Sequence, residues 1–114
     1  MLPKEYRLKK RSAYTATYKT GKTFHKDGIT LFIGRVNNAD SATKVGFVVS
    51  KKVHKRAVKR NRIKRLMRES YRLQIKQSLV NNRYLSVIFV GSSKLIDKSF
   101  EQINSAMKEL VKKL

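Results

Sequence analysis

"KRAVKRNRIKRLMRE", residues 55–69, sets eight positive side chains among fifteen and spaces its apolar residues at helical intervals. At about 100° per residue, Ile63, Leu66, Met67 and Leu73 share one arc of a helix over residues 57–77, with Ser70 among them. That arc is expected to pack on a sheet. Asn61, Lys64, Arg65, Arg68, Arg72 and Lys76 take the opposite arc, where Glu69 at the margin is the one acid. A solvated face ordinarily mixes signs to gain i,i+4 pairs, whereas this one sets Lys64 against Arg68 and Arg68 against Arg72. A polyanion that neutralises the face explains such repulsion better than an idle surface does. Arginine's planar fork suits phosphate, and Asn61 either reads a base edge or a 2′-hydroxyl or caps the first turn.

The flanks supply the sheet. "ITLFIGRV" (29–36) and "TKVGFVVS" (43–50) are rich in β-branched and aromatic residues and are joined by the turn-forming "NNADSA", which reads as an antiparallel hairpin. In the second strand Val45, Phe47 and Val49 alternate with Lys44, Gly46, Val48 and Ser50, so one face belongs to the core and the other is open to a ligand. "RYLSVIFV" (83–90) is a buried third strand. Before the hairpin, "RSAYTATYKTG" predicts a short helix with Ser12 as N-cap, Tyr14 and Tyr18 at i and i+4, and Gly21 as its stop. At the end, Ser99 and Gln102 form a capping-box pattern, and Phe100, Ile103, Met107, Leu110, Val111 and Leu114 repeat at three and four. The expectation is one α+β domain over residues 1–114, a sandwich in the order α-β-β-α-β-α on a small mixed sheet.

Composition narrows the function. The chain has 114 residues and carries 28 Lys and Arg against 7 Asp and Glu, a formal charge of +21. A surface so charged is drawn to polyanions by counterion release, with nucleic acid first and an anionic membrane second. There is no cysteine, hence no disulfide and no thiolate zinc site. No apolar run approaches the roughly 18 residues of a membrane span, and no secretory h-region is visible, so a cytoplasmic protein is expected.

Catalytic chemistry is poorly represented. The acids are Glu5, Asp27, Asp40, Glu69, Asp97, Glu101 and Glu109, of which only Asp97 and Glu101 are near neighbours, at the start of the last helix, where they suit its dipole better than a metal. His25 and His54 lie in loop-like, basic surroundings, and neither a Ser/His/Asp set nor a glycine-rich phosphate loop is present. The residues point to binding, with no catalytic side chain, no protein metal site and no small-molecule substrate.

The run "VGFVVSKKVHKRAVKRNRIKRLMRE", Val45 to Glu69, resembles the signature of the bacterial ribonuclease P protein subunit, through Arg60-Asn61-Arg62, Ile63-Lys64-Arg65 and Arg68-Glu69, with Ser50-Lys51-Lys52 upstream. "YRLKKRSAYTATYKTGK" is similar to the family's opening helix, so the resemblance covers nearly the whole chain. It implies a left-handed crossover from the second strand through the basic helix to the next, against the general rule. It implies that an RNA subunit, using Mg2+, is the catalyst that hydrolyses precursor tRNA to release the 5′ leader, the protein being its accessory. Arg60, Asn61, Arg62, Lys64, Arg65, Arg68 and Arg72 then correspond to the face toward the catalytic RNA. Tyr14, Tyr18, Phe32, Ser50, Lys51 and Lys52 correspond to a cleft that takes the single-stranded leader, where flat side chains stack on bases. The family often has phenylalanine at positions 14 and 18, and glycine where this chain has His54 and Lys55.

Two other readings compete. A ribosomal or general RNA-binding protein matches the charge and the small α+β build but not the Arg60 to Glu69 motif. Membrane-surface binding needs bulky aromatics on the apolar arc of the basic helix, and that arc is committed to the core.

Overall fold

A computed structural model describes residues 4–36, 42–77 and 84–114. A 3-10 turn (Lys4–Tyr6) precedes helix α1 (Arg11–Lys19), strands β1 (Lys22–Lys26), β2 (Ile29–Ile33) and β3 (Lys44–Val48), helix α2 (Ala57–Lys76), strand β4 (Ser86–Gly91), a second 3-10 turn (Ser93–Leu95) and helix α3 (Phe100–Val111). The four strands form one mixed sheet in the order β1-β2-β4-β3, with β3 and β4 parallel and the other pairs antiparallel. The expected α+β class on a small mixed sheet is what is found, with one strand more.

That extra strand corrects the expected hairpin. β2 does not pair with β3, because β4 lies between them and takes both as neighbours. β2 turns back instead on β1, whose "KTFHK" is too polar to read as a strand and is mostly exposed. The turn is Asp27-Gly28, with φ of 47° and 91° and Lys26 paired to Ile29. Two consecutive positive φ angles are what a two-residue hairpin needs to match strand twist, and Asp-Gly supplies them cheaply. His25 therefore sits in a strand, not a loop. Most of "NNADSA", residues 37–41, and Arg83 lie outside the described residues, as does Asp40; on either side, Val36 bridges Tyr84.

The helices follow their local signals with one exception. α1 begins one residue before Ser12, with Lys10 at the N-cap position and no side-chain cap, while Gly21 has the φ of 74° expected of a stop. α3 carries the full capping box: the Ser99 N–H donates to Gln102 Oε1 (3.0 Å) and the Gln102 N–H to Ser99 Oγ (3.3 Å). In α2 the buried stripe is Ile63, Met67, Ser70, Tyr71 and Gln74. Leu66 and Leu73 are half-buried flanks of it. The arc is turned from the expected one because α2 packs on α3 as well as on the sheet. Between the two helices Ser70 donates to Asn104 Oδ1 (2.5 Å) and Gln74 Nε2 to the same oxygen (3.3 Å), so two polar residues replace apolar ones in the stripe.

The core lies between the sheet and the α2–α3 layer, built on Ile29, Leu31, Ile33, Val87 and Phe89 from the strands and on Met67, Tyr71, Ile103 and Met107 from the helices. α1 lies alone on the opposite face. It crosses the strands over the cross-strand row Gly46, Ile88 and Phe32, of which Ile88 is wholly buried yet apart from the main core.

Candidate nucleic-acid interface

α1 divides the outer face of the sheet. Tyr14 stands over Gly46, where a Cβ would come 2.6 Å from its Cε1, and donates its hydroxyl to the Leu8 carbonyl at 3.3 Å. Tyr18, one turn on, meets Phe32 edge-on, with ring centroids 4.8 Å apart and planes at 88°. Tyr18 is 37% exposed. Partial burial raises the pKa of both phenols, so each is a neutral donor throughout the physiological range.

Toward the carboxyl ends of β3 and β4 the next row of the same face is His25, Thr30, Val90 and Val48. His25 Nδ1 lies 3.0 Å from Thr30 Oγ1, and Thr30, Val90 and Val48 are half-buried. Beyond this row the chain leaves β3 through Ser50, Lys51 and Lys52, all exposed, in a turn closed by the Val53 N–H to the Ser50 carbonyl (3.0 Å). The predicted Tyr14, Tyr18 and Phe32 thus stand together on the outer face, in a trough beside α1, while Ser50, Lys51 and Lys52 lie in the exposed turn that follows β3. Sequence reading set Val48 on this open face but missed its neighbours in the row, Thr30 and Val90, since only the strand order brings the three together.

The basic helix divides its arginines. Arg60 Nη1 donates to the carbonyls of His54 (2.8 Å) and Lys55 (2.9 Å), tying the loop after β3 to the start of α2. In that loop the Arg56 N–H donates to His54 Nδ1 (3.0 Å), a contact glycine at position 54 would lack. Arg62 donates to the carbonyls of Ile96 (3.4 Å) and Lys98 (3.2 Å), holding α2 to the approach of α3. Arg72 forms a forked pair with Glu69 (2.6 and 3.2 Å), which lowers the Glu69 pKa. Asn61, Lys64, Arg65 and Arg68 point away from the core and form no hydrogen bond or ion pair with the described residues; Asn61 does not cap the helix.

One juxtaposition was invisible in the sequence. Arg68 shares with Tyr14 a narrow groove of about 130 Å³, floored by Gly46 and closed by Arg7 and Leu8. The Leu8 N–H donates to the Val45 carbonyl (2.9 Å), so the N-terminal segment lies along the outer edge of β3 just here. The cationic arc and the aromatic trough therefore adjoin across one strand.

The family model described as Ribonuclease P matches residues 2–114. The chain belongs to the ribonuclease P protein family. The ribonuclease P protein component of Clostridium kluyveri is 40% identical over 95% of this chain and 93% of its own, and that of Clostridioides difficile 36% over 93% and 89%. The RNase P protein of Staphylococcus aureus, 28% identical, superposes with a TM-score of 0.78 over 96% of this chain and 94% of that one. The RNase P protein of Thermotoga maritima shares the fold, with a TM-score of 0.79 over 95% and 96%. Membership makes this chain a component of the ribonuclease P ribonucleoprotein, an endoribonuclease.

Proposed function

We propose that this chain binds the catalytic RNA of ribonuclease P through the outer arc of α2 and the 5′ leader of precursor tRNA through the trough beside α1, promoting removal of the leader. The observation that carries this reading is the groove in which Arg68 and Tyr14 meet. A strand leaving duplex RNA on α2 passes without interruption onto aromatic and half-buried apolar side chains, where stacking tolerates any base sequence. Lys51 and Lys52, in the turn that follows β3, lie where the leader's next phosphates would pass. In this reading Asn61, Lys64, Arg65 and Arg68 touch RNA. Arg60, Arg62 and Arg72, whose guanidinium groups already have partners, shape the surface and meet phosphate only with their remaining donors.

Bond cleavage belongs to the RNA subunit in this proposal, which assigns no catalytic side chain to the protein. The same reading leaves the Mg2+ ions of the reaction to the RNA. The protein works as one RNA-binding domain in the cytoplasm; no described helix is long and apolar enough to cross a membrane.

Reconstitution tests the proposal: precursor tRNA with bacterial ribonuclease P RNA at low Mg2+, with and without the protein. Cleavage should rise when the protein is added and be absent with protein alone. No rise would leave a ribosomal or general RNA-binding role in its place, and cleavage by the protein alone would refute the division of labour.

A further inference from the structure

The half of the sheet's outer face on the other side of α1, at the amino ends of β3 and β4, holds a second recess of about 340 Å³, within the range of about 300 to 1,000 Å³ typical of small-ligand sites. Its walls are small. Ala13, Ala16 and Thr17 face it from α1, and Gly34, Leu85 and Ser86 from the sheet. Gly34 has no room for a side chain, since a Cβ there would stand 2.6 Å from Ser86 Oγ. Leu85 is 44% exposed, an apolar surface left open to solvent at the mouth.

The floor offers an acceptor. The Thr17 hydroxyl donates to the Ala13 carbonyl (2.8 Å), so in its 2.6 Å contact with Ser86 the proton comes from serine. Ser86 Oγ keeps a lone pair for an incoming N–H. The rim is cationic: Arg35 and Lys44 border the recess, and Arg35 continues into a shallower depression with Arg11 and Lys19. No acid lines either among the described residues. Lys44 and Arg35 form no hydrogen bond or ion pair with described side chains. A flat, mostly apolar ligand bearing an amino edge and an attached phosphate matches small walls, a serine acceptor and four cations together.

We propose that this recess takes one unpaired nucleotide of RNA, its base between α1 and the ends of β2 and β4 and its phosphate on Arg35 and Lys44. It is a site separate from the aromatic trough, from which α1 divides it. The choice of RNA as the source rests on the ribonuclease P reading; the chemistry of the recess does not.

The test is a titration of the full-length, 15N-labelled chain with adenosine 5′-monophosphate and, separately, with inorganic phosphate, followed through the amides of Ala16, Gly34 and Ser86. The nucleotide should shift these amides to saturation, and phosphate alone should not. Ala16→Leu, which narrows the slot from its exposed side, should weaken binding about tenfold, the scale of a lost stacking contact. Arg35→Ala, on the surface and harmless to folding, should weaken it about threefold through one lost phosphate contact. Equal shifts with phosphate alone, or nucleotide shifts confined to Tyr18 and Phe32, would overturn the site. The cleavage assay remains an independent arm. A chain that stimulates cleavage without these shifts loses only the recess, and one that shows the shifts without stimulation keeps the recess and loses the ribonuclease P reading.

Discussion

Tyr14 occupies the space that a side chain at position 46 would need, and Gly46 is the middle of the edge strand β3. The glycine is there for the ring, since its own φ is ordinary. Gly46→Ala should push Tyr14 off the sheet, costing about 1 to 3 kcal/mol as overpacking does, and should open the groove shared with Arg68. Urea unfolding and leader affinity measured on the same variant should both fall.

Tyr14→Ala should lower affinity for precursor tRNA by about 1 to 3 kcal/mol, the worth of one stacked base, and leave leaderless tRNA nearly unaffected. Tyr14→Phe should keep the stacking and lose only the hydroxyl's bond to the Leu8 carbonyl, about 0.5 to 1.5 kcal/mol of stability. Equal losses on both RNAs would make Tyr14 a packing residue.

The arginines of α2 should separate into two groups. Arg65→Ala and Arg68→Ala should each flatten the log–log dependence of RNA affinity on salt by about one unit or less, at unchanged stability. Arg62→Ala should do the reverse, lowering the unfolding free energy by about 1 kcal/mol through its two carbonyl bonds while leaving the salt slope nearly intact. A slope change for Arg62→Ala as large as that for Arg68→Ala would put Arg62 on the RNA.

Tyr71 is wholly buried, and among the described residues its hydroxyl has no hydrogen-bond partner. Burial pushes its pKa far above the ordinary phenol value. A native pKa above the unfolded one means that the native state holds the proton more tightly, so this contribution is complete below about pH 10 and is lost as pH rises beyond it. Tyr71→Phe should stabilise the fold by about 1 kcal/mol at neutral pH, by removing an unsatisfied hydroxyl, and should flatten the alkaline fall in stability. Chemical denaturation at pH 7 and pH 10.5 measures both.

What the sequence revealed depended on the range of each signal. The Ser99–Gln102 cap, the Gly21 stop and the bounds of α2 are local, and each was legible within a few residues. Strand neighbours were not, because β2 and β3 follow one another in the chain and β4, which separates them, comes after α2. The Asp27-Gly28 turn was passed over as well, because the polar "KTFHK" before it hid the strand it serves. At the interface, charge and helical spacing found the outward arc, yet could not tell Arg65 and Arg68 from Arg60 and Arg62, whose carbonyl partners lie in loops placed only by the fold. The meeting of Arg68 with Tyr14 joins residues 54 positions apart and needed the sheet between them.

The place of β4 has a consequence for synthesis of the chain. It is the last strand made, and it is the strand that joins β2 to β3. When the first 85 residues have left the ribosome, the basic helix and both tyrosines are already out, but β2 and β3 still lack the neighbour that joins them. The two surfaces proposed to meet RNA thus acquire their mutual geometry only near the end of translation, after the charge of α2 is already exposed.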